Sequence, residues 1–285
     1  LKSIGNEVYV LCPSFSKQKG IEIIDDIPVH RFNLNKTLKN LLFGVMNTLP
    51  LYELFWINKV RRFVKSVKPE VLHANDLYMS KIAFRGGNGK LPVVLDLHEN
   101  YPAAILAYKW STRFPHRYLS LPHAWKRKEQ RYLEYASKII VLSNSFKATL
   151  TDRYPDLNPN NIFVYPNVPN VKQLLSFRIK SDIFPKGNRF VLFYFGGISE
   201  RRGILTCFEA IKILSKEIPA VHLLIIGPVD GHEQASFTEY LNDPILKEKV
   251  THYPWKDLSE LPSYILSSDV CLSPIFKNEQ HESVV

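Results

Sequence analysis

Three stretches of the chain combine residue types that can do chemistry. The first is Phe190 to Ile204, where six apolar residues lead into Gly196-Gly197-Ile198-Ser199-Glu200-Arg201-Arg202-Gly203. A turn without Cβ atoms lets backbone N–H groups approach an anion, and a following helix aims its positive end at the same spot. Arg201 and Arg202 add forked donors suited to phosphate oxygens. The stretch reads either as a diphosphate seat or as an ordinary βα turn with solvated arginines. The second is Asp96-Leu97-His98-Glu99, with His73 and Asp76 a strand earlier. His98 can exchange a proton or bond a sugar hydroxyl, and Glu99 can orient it or the substrate, or His98 is a satisfied structural histidine. The third is Pro274 to Ser283, a polar loop in which Glu282 can accept from ribose or sugar hydroxyls.

The elements that must position these residues follow from periodicity. Phe190–Phe195 suits a central parallel strand covered on both faces, where alternation is not required. Apolar runs at 8–12, 28–32, 71–74, 93–98, 138–142, 162–165, 221–226, 250–253 and 269–272 read as further strands. Between them lie helical patterns, including 51–67, 116–137, 144 onward, 203–217, 235–249 and 258–266. In 51–67 the apolar positions are Leu51, Leu54, Phe55, Val60, Phe63, Val64 and Val67, interleaved with Lys59, Arg61, Arg62 and Lys65, and Pro69 ends the helix. Strand, helix, strand recurs, which argues α/β architecture with doubly wound parallel sheets. In such sheets ligands bind at the carboxyl ends of strands, where Asp96–Glu99 and Gly196–Gly203 both fall. Residues 169–189 carry Pro185 and Gly187 without strong periodicity and read as a linker between domains at 1–168 and 190–285.

At 285 residues with 45% hydrophobic content, the chain can bury real cores and is neither disordered nor fibrous. Its formal charge of +10 is uneven: residues 1–170 hold 24 Lys and Arg against 13 Asp and Glu, and 171–285 hold 13 against 14. That asymmetry points to an anionic partner for the first half. Within it, Lys109 to Arg131 holds seven basic residues and one acid, with Trp110, Phe114, Tyr118, Leu119, Leu121 and Trp125 between them. Basic plus aromatic is an interfacial signature, with tryptophans at headgroup depth, although a solvated helix face uses the same residues. Nucleic acid ranks last, because no nucleic-acid module is present in the sequence. Cys12, Cys207 and Cys271 have no metal-like spacing, so reduced packing cysteines in a cytoplasmic compartment are expected. The start at Leu1 and the stop after the last strand read as a fragment. Leu41 to Ile57 is too short and interrupted to span a bilayer.

Taken together, the residues resemble the retaining GT-B glycosyltransferases of group 1, also called family 4. Gly5-Asn6-Glu7-Val8 is similar to the Gly-His-Glu-Val after that family's first strand and helix, which makes the first strand and its glycine loop absent here. Asp96-Leu97-His98-Glu99 resembles Asp-x-His-Glu, Pro166-Asn167 resembles the Pro-Asn closing the N-terminal domain, and Gly196–Gly203 resembles Gly-Arg-Leu-Ser-x-x-Lys-Gly. Gly197 stands where the family often has arginine, and Arg202 where it has lysine. Glu282 resembles the first acid of Glu-x7-Glu, whose second acid would lie beyond Val285.

The resemblance implies two Rossmann-like domains facing a cleft, the second binding a nucleotide-diphosphate sugar as substrate, without metal or other cofactor. It implies His98, Arg202 and Glu282 as catalytic residues. Gly196, Gly197, Arg201, Gly203, Asp76 and Glu99 would bind substrate. The expected reaction is transfer, with retention, to a lipid-linked or polysaccharide acceptor in cell-surface glycan synthesis, by a protein peripheral to the inner face of the cell membrane. A nucleotide-sugar epimerase and a non-catalytic partner subunit of the same architecture are the alternatives.

Overall fold

The computed structural model describes residues 1–15, 20–108, 111, 114 and 116–280. The chain divides into two compact units, the first running from Leu1 to Pro166 and the second beginning at Asn167.

The first unit holds two sheets. β1 (Val10–Ser14) pairs in parallel with β3 (Ile27–Asn33), which pairs antiparallel with β2 (Ile21–Ile24). β2 lies where only a polar loop was expected. Asp25 and Asp26, both at positive φ (49° and 60°), make the tight hairpin turn whose twist matches the flanking strands. Its isoleucines stay exposed, so burial gave no signal to read. The second sheet is fully parallel, in the order β4 (Leu72–Asn75), β5 (Val93–Leu97), β6 (Lys138–Val141), β7 (Ile162–Val164). Val93, Leu95, Leu97, Ile139 and Val141 are buried beneath the helices Leu51–Val67, Leu77–Gly86 and Ala124–Leu133.

Two helices differ from expectation for one physical reason. The pattern at 116–137 is split into His116–Ser120 and Ala124–Leu133, because Pro122 cannot donate a helical N–H and disfavours the helical conformation at Leu121, which takes φ 43°. The pattern at 235–249 is split into Gln234–Leu241 and Pro244–Lys249, where Asp243 accepts from the N–H groups of Ile245 (2.9 Å) and Leu246 (3.2 Å) as a cap and Pro244 opens the new helix. A third difference concerns facing. In helix Leu51–Val67 the buried residues are Tyr52, Glu53, Trp56, Ile57 and Val60, whereas Leu51 and Leu54 are exposed. Glu53 enters the core because Lys81 and Tyr132 both bond its carboxylate. Trp125 is also inside, at 2% exposure against Tyr101 and Tyr132, and so cannot seat in a lipid headgroup layer.

The second unit is one parallel sheet, in the order β10 (Val250–Tyr253), β9 (Val221–Ile226), β8 (Phe190–Phe195), β11 (Val270–Cys271). Every residue of β9 is buried, as a strand covered on both faces requires. Residues 169–189 are more than a linker: they hold the helix Val171–Ser176, and Phe184 packs into the core with Val191, Phe193 and Tyr264. His222 is buried in β9, 2.8 Å from Thr251 Oγ1, and burial beside Arg189 and Lys249 depresses its pKa from 6.5 to about 4. Between those values the unfolded chain binds a proton that the native state refuses. Stability therefore falls by about 3 kcal/mol as pH drops from 6.5 towards 4. Urea titrations across that window should show the slope, and His222→Gln should flatten it; an unchanged slope would place the dependence elsewhere.

Candidate active site

In the first unit the candidate residues sit at the carboxyl ends of β4 and β5. Register makes Asn75 and Asp96 direct partners, and past them the two strands release Asp76 and His98. Asp96 Oδ2 lies 3.2 Å from His73 Nε2 and 3.9 Å from His98 Nε2, and His98 Nε2 lies 3.4 Å from Asn75 Oδ1. Asp96 is thus a carboxylate within reach of His98. Glu99 instead accepts from Tyr108 Oη at 3.1 Å. The His98 side chain remains half exposed, held from behind and open in front.

Asp76 has φ 73° and ψ 150°, a backbone conformation strained for a residue with a Cβ. Its N–H donates to Asp96 O at 2.9 Å, which ties the two strand ends together. Burial pushes the Asp76 carboxyl up, while a 3.1 Å hydrogen bond from Tyr78 Oη and the nearby His98 oppose the shift. Asp76, His98 and Asp96 therefore form one polar cluster at the strand ends. Asp96 stood in the sequence motif without a role of its own, and Asn75 was not singled out from sequence. The available signal was that Asp96 and His98, two apart on a strand, leave by the same face.

In the second unit the strand end is built from glycines at closed positions. Gly196 has φ 152° and its N–H donates to Ile226 O (3.0 Å); beyond it Ile198 pairs with Val229 and donates to Pro228 O (2.8 Å). Gly227 approaches so closely that a Cβ there would lie 1.9 Å from Gly196 O. Arg201 and Arg202 then lie on a short 3₁₀ turn, Glu200–Arg202, closed by Gly203 at φ 74°. A Cβ on Gly203 would lie 1.8 Å from Pro274 O. Only glycine fits there. At Gly197 φ is not positive and nothing lies within 4 Å of a built Cβ, so a side chain is sterically free at this position.

The helix Ile204–Glu217 starts from Gly203 with no side chain capping its N-terminus, which leaves a positive end with N–H groups to offer. Arg202 is half-buried; its N–H donates to Ser199 O (3.0 Å), and among the described residues its guanidinium makes no hydrogen bond or ion pair. It lies near Tyr194, whose hydroxyl donates to Gly197 O at 2.8 Å; burial raises that phenol and the Arg202 and Arg201 guanidiniums partly offset the rise. A turn with an uncapped helix end and an uncommitted guanidinium is equipped for an anion of more than one charge. Glu282 lies outside the described residues. Among the described residues no cluster of three or more His, Cys, Asp or Glu side chains is placed to hold a metal ion.

Residues 1–172 match the model of Glycosyltransferase Family 4, and residues 158–282 match that of Glycosyl transferases group 1. The chain belongs to glycosyltransferase family 4. A relative, the D-inositol 3-phosphate glycosyltransferase of Paenarthrobacter aurescens strain TC1, is 28% identical over 161 residues, 54% of this chain and 39% of the relative. The family 4 chain thus matches well under half of that curated relative's length. Among solved structures, sucrose-phosphate synthase from Thermosynechococcus elongatus superimposes with a TM-score of 0.71 at 18% identity, covering 97% of this chain and 67% of that one. Anabaena Alr3699/HepE in complex with UDP and glucose gives 0.55 at 16% identity, over 86% of this chain and 60% of that one. At these identities the likeness is one of fold: two Rossmann-like units, the GT-B class, as the sequence motifs implied.

Proposed function

We propose that this family 4 chain carries the core of a glycosyltransferase that moves a hexose-type sugar from a nucleotide-diphosphate donor to a lipid-linked or polysaccharide acceptor, with retention. The observation that carries the reading is the Gly196–Gly203 turn, where an uncommitted Arg202 and the uncapped start of helix Ile204–Glu217 meet. Arg202 and the helix N–H groups would stabilise the leaving diphosphate, the task a cation performs elsewhere. Gly196, Gly197 and Gly203 would let the phosphates approach the backbone, and Arg201 would assist. In the first unit His98 would contact the transferred sugar or the acceptor hydroxyl, oriented by Asp96, while Asp76 and Glu99 would accept from acceptor hydroxyls. The uneven charge supports a place at an anionic membrane face, where a lipid-linked acceptor would be presented.

The solved relative in complex with UDP and glucose makes UDP-sugars the first donors to test. A nucleotide sugar that binds the native state should raise the unfolding free energy of the complete protein by about 2.7 kcal/mol at a hundred times its Kd. The donor so found should then yield product whose anomeric configuration, read by NMR, equals that of the donor. A protein stabilised by no nucleotide sugar and transferring none would end the proposal.

A further inference from the structure

We propose that Tyr78 is a positioning residue for the acceptor side of the reaction: its hydroxyl turns the Asp76 carboxylate away from the start of helix Leu77–Gly86 and holds it beside His98, where it takes an acceptor hydroxyl. This rests on the transfer reading above and names what sets the Asp76 side chain.

Asp76 stands at the N-cap of that helix, where an aspartate ordinarily accepts from the N–H groups of the first turn. Asn35, Ser143 and Asp243 do so at the starts of their own helices. Asp76 departs from them: its side chain makes no capping bond among the described residues, and its φ of 73° with ψ of 150° is a conformation that residues with a Cβ avoid. An acid that forgoes its cap and takes a strained backbone is held by something else. Asp76 N–H donates to Asp96 O (2.9 Å), which fixes the backbone, and Asp76 Oδ2 accepts from Tyr78 Oη at 3.1 Å, which fixes the carboxylate.

The direction of that phenol is itself set by packing. The Tyr78 ring centroid lies 5.3 Å from that of Phe43, 6.4 Å from that of Tyr52 and 5.3 Å from that of Tyr101, rings carried by three other helices. A ring so enclosed has little freedom to turn, so its hydroxyl is aimed before any substrate arrives. The groups facing the Asp76 carboxyl are Tyr78 on its own helix, Asp96 and His98 on and beyond β5, Tyr52 from helix Leu51–Val67 and Tyr101 from helix Tyr101–Ala107. Burial raises the Asp76 pKa and Asp96 adds to the rise, whereas the Tyr78 hydrogen bond and His98 lower it. Loss of the Tyr78 hydroxyl therefore has a sign: Asp76 then binds its proton at higher pH.

The test is Tyr78→Phe in the complete protein, which keeps the ring and removes only the hydroxyl. KM for the acceptor should rise by about tenfold, the factor carried by a hydrogen bond to a charged group, with KM for the nucleotide sugar unchanged. The acid limb of kcat/KM for the acceptor should move to higher pH. So should the Asp76 carboxyl titration, followed by carbon NMR and assigned by its absence from Asp76→Gly. Glycine takes the same backbone conformation freely, and adding Tyr78→Phe to Asp76→Gly should change the acceptor KM no further. A Tyr78→Phe cost that persists on Asp76→Gly, or equal rises in the two KM values, makes Tyr78 a packing residue and overturns the proposal. A carboxyl titration that Tyr78→Phe leaves in place overturns the positioning role even in an active enzyme. A titration that moves in a protein that transfers no sugar overturns the acceptor role together with the proposed function.

Discussion

Arg202→Ala in the complete protein is expected to lower kcat for sugar transfer by about a hundred- to a thousandfold, the usual cost of removing one preorganised donor aimed at developing charge. The guanidinium makes no hydrogen bond or ion pair among the described residues, so its loss leaves no orphaned partner. It is also only half-buried, and its removal opens no core cavity. The unfolding free energy should accordingly change by no more than about 0.5 kcal/mol, as for ordinary surface substitutions. Arg202→Lys should recover part of the rate, because an ammonium supplies the charge without the planar fork. Arg201→Ala should cost less, since Arg201 has interactions within the protein to satisfy it. Unchanged turnover in Arg202→Ala would end the diphosphate role. A fall in melting temperature matching the fall in rate would make the residue structural.

Gly203→Ala should be strongly destabilising. Two costs combine. At φ 74° a Cβ is in the left-handed region, worth about 1–2 kcal/mol against any residue but glycine. The same Cβ would stand 1.8 Å from Pro274 O and 2.8 Å from its carbonyl carbon, so the segment after β11 has to be displaced. Overpacking of this kind typically adds 1–3 kcal/mol, and a total of about 2–5 kcal/mol is expected in urea unfolding. Activity should fall with it, because Gly203 opens helix Ile204–Glu217 and relief of the clash shifts that helix start as well as the segment carrying Pro274. Gly197→Ala is the internal control: with open space around its Cβ and no positive φ, it should unfold close to wild type. Equal midpoints for the two variants would mean that the approach of Gly203 to Pro274 does not hold in solution.

Both expectations turn on how much of the site is local. The Gly196–Gly203 turn was legible because its parts are consecutive: an apolar run, two glycines, two arginines and a glycine that opens a helix. The strand-end cluster of the first unit was legible only in outline. His98 and Asp76 stand out by residue type at strand ends, but Asp96 is the group that reaches both His73 and His98, and that depends on the register Asn75 opposite Asp96. Glu99 looked like the orienting acid because it is adjacent in sequence. Neighbours on an extended chain point to opposite faces, and Glu99 bonds Tyr108 instead.

Sequence by itself determined the alternation of strands and helices, the position of the candidate sites at strand ends, and the concentration of positive charge in the first half. These are properties of consecutive residues, set by hydrophobic period, glycine and proline. Tertiary structure decided which face of each helix is buried, placing Trp125 inside and Leu51 and Leu54 outside. It also decided why Gly203 has no substitute, since the atom that excludes a side chain belongs to Pro274, on the far side of three strands in sequence. Periodicity specifies that a helix has an apolar stripe. Which of two adjoining stripes faces the core is settled by what the rest of the chain brings to meet it.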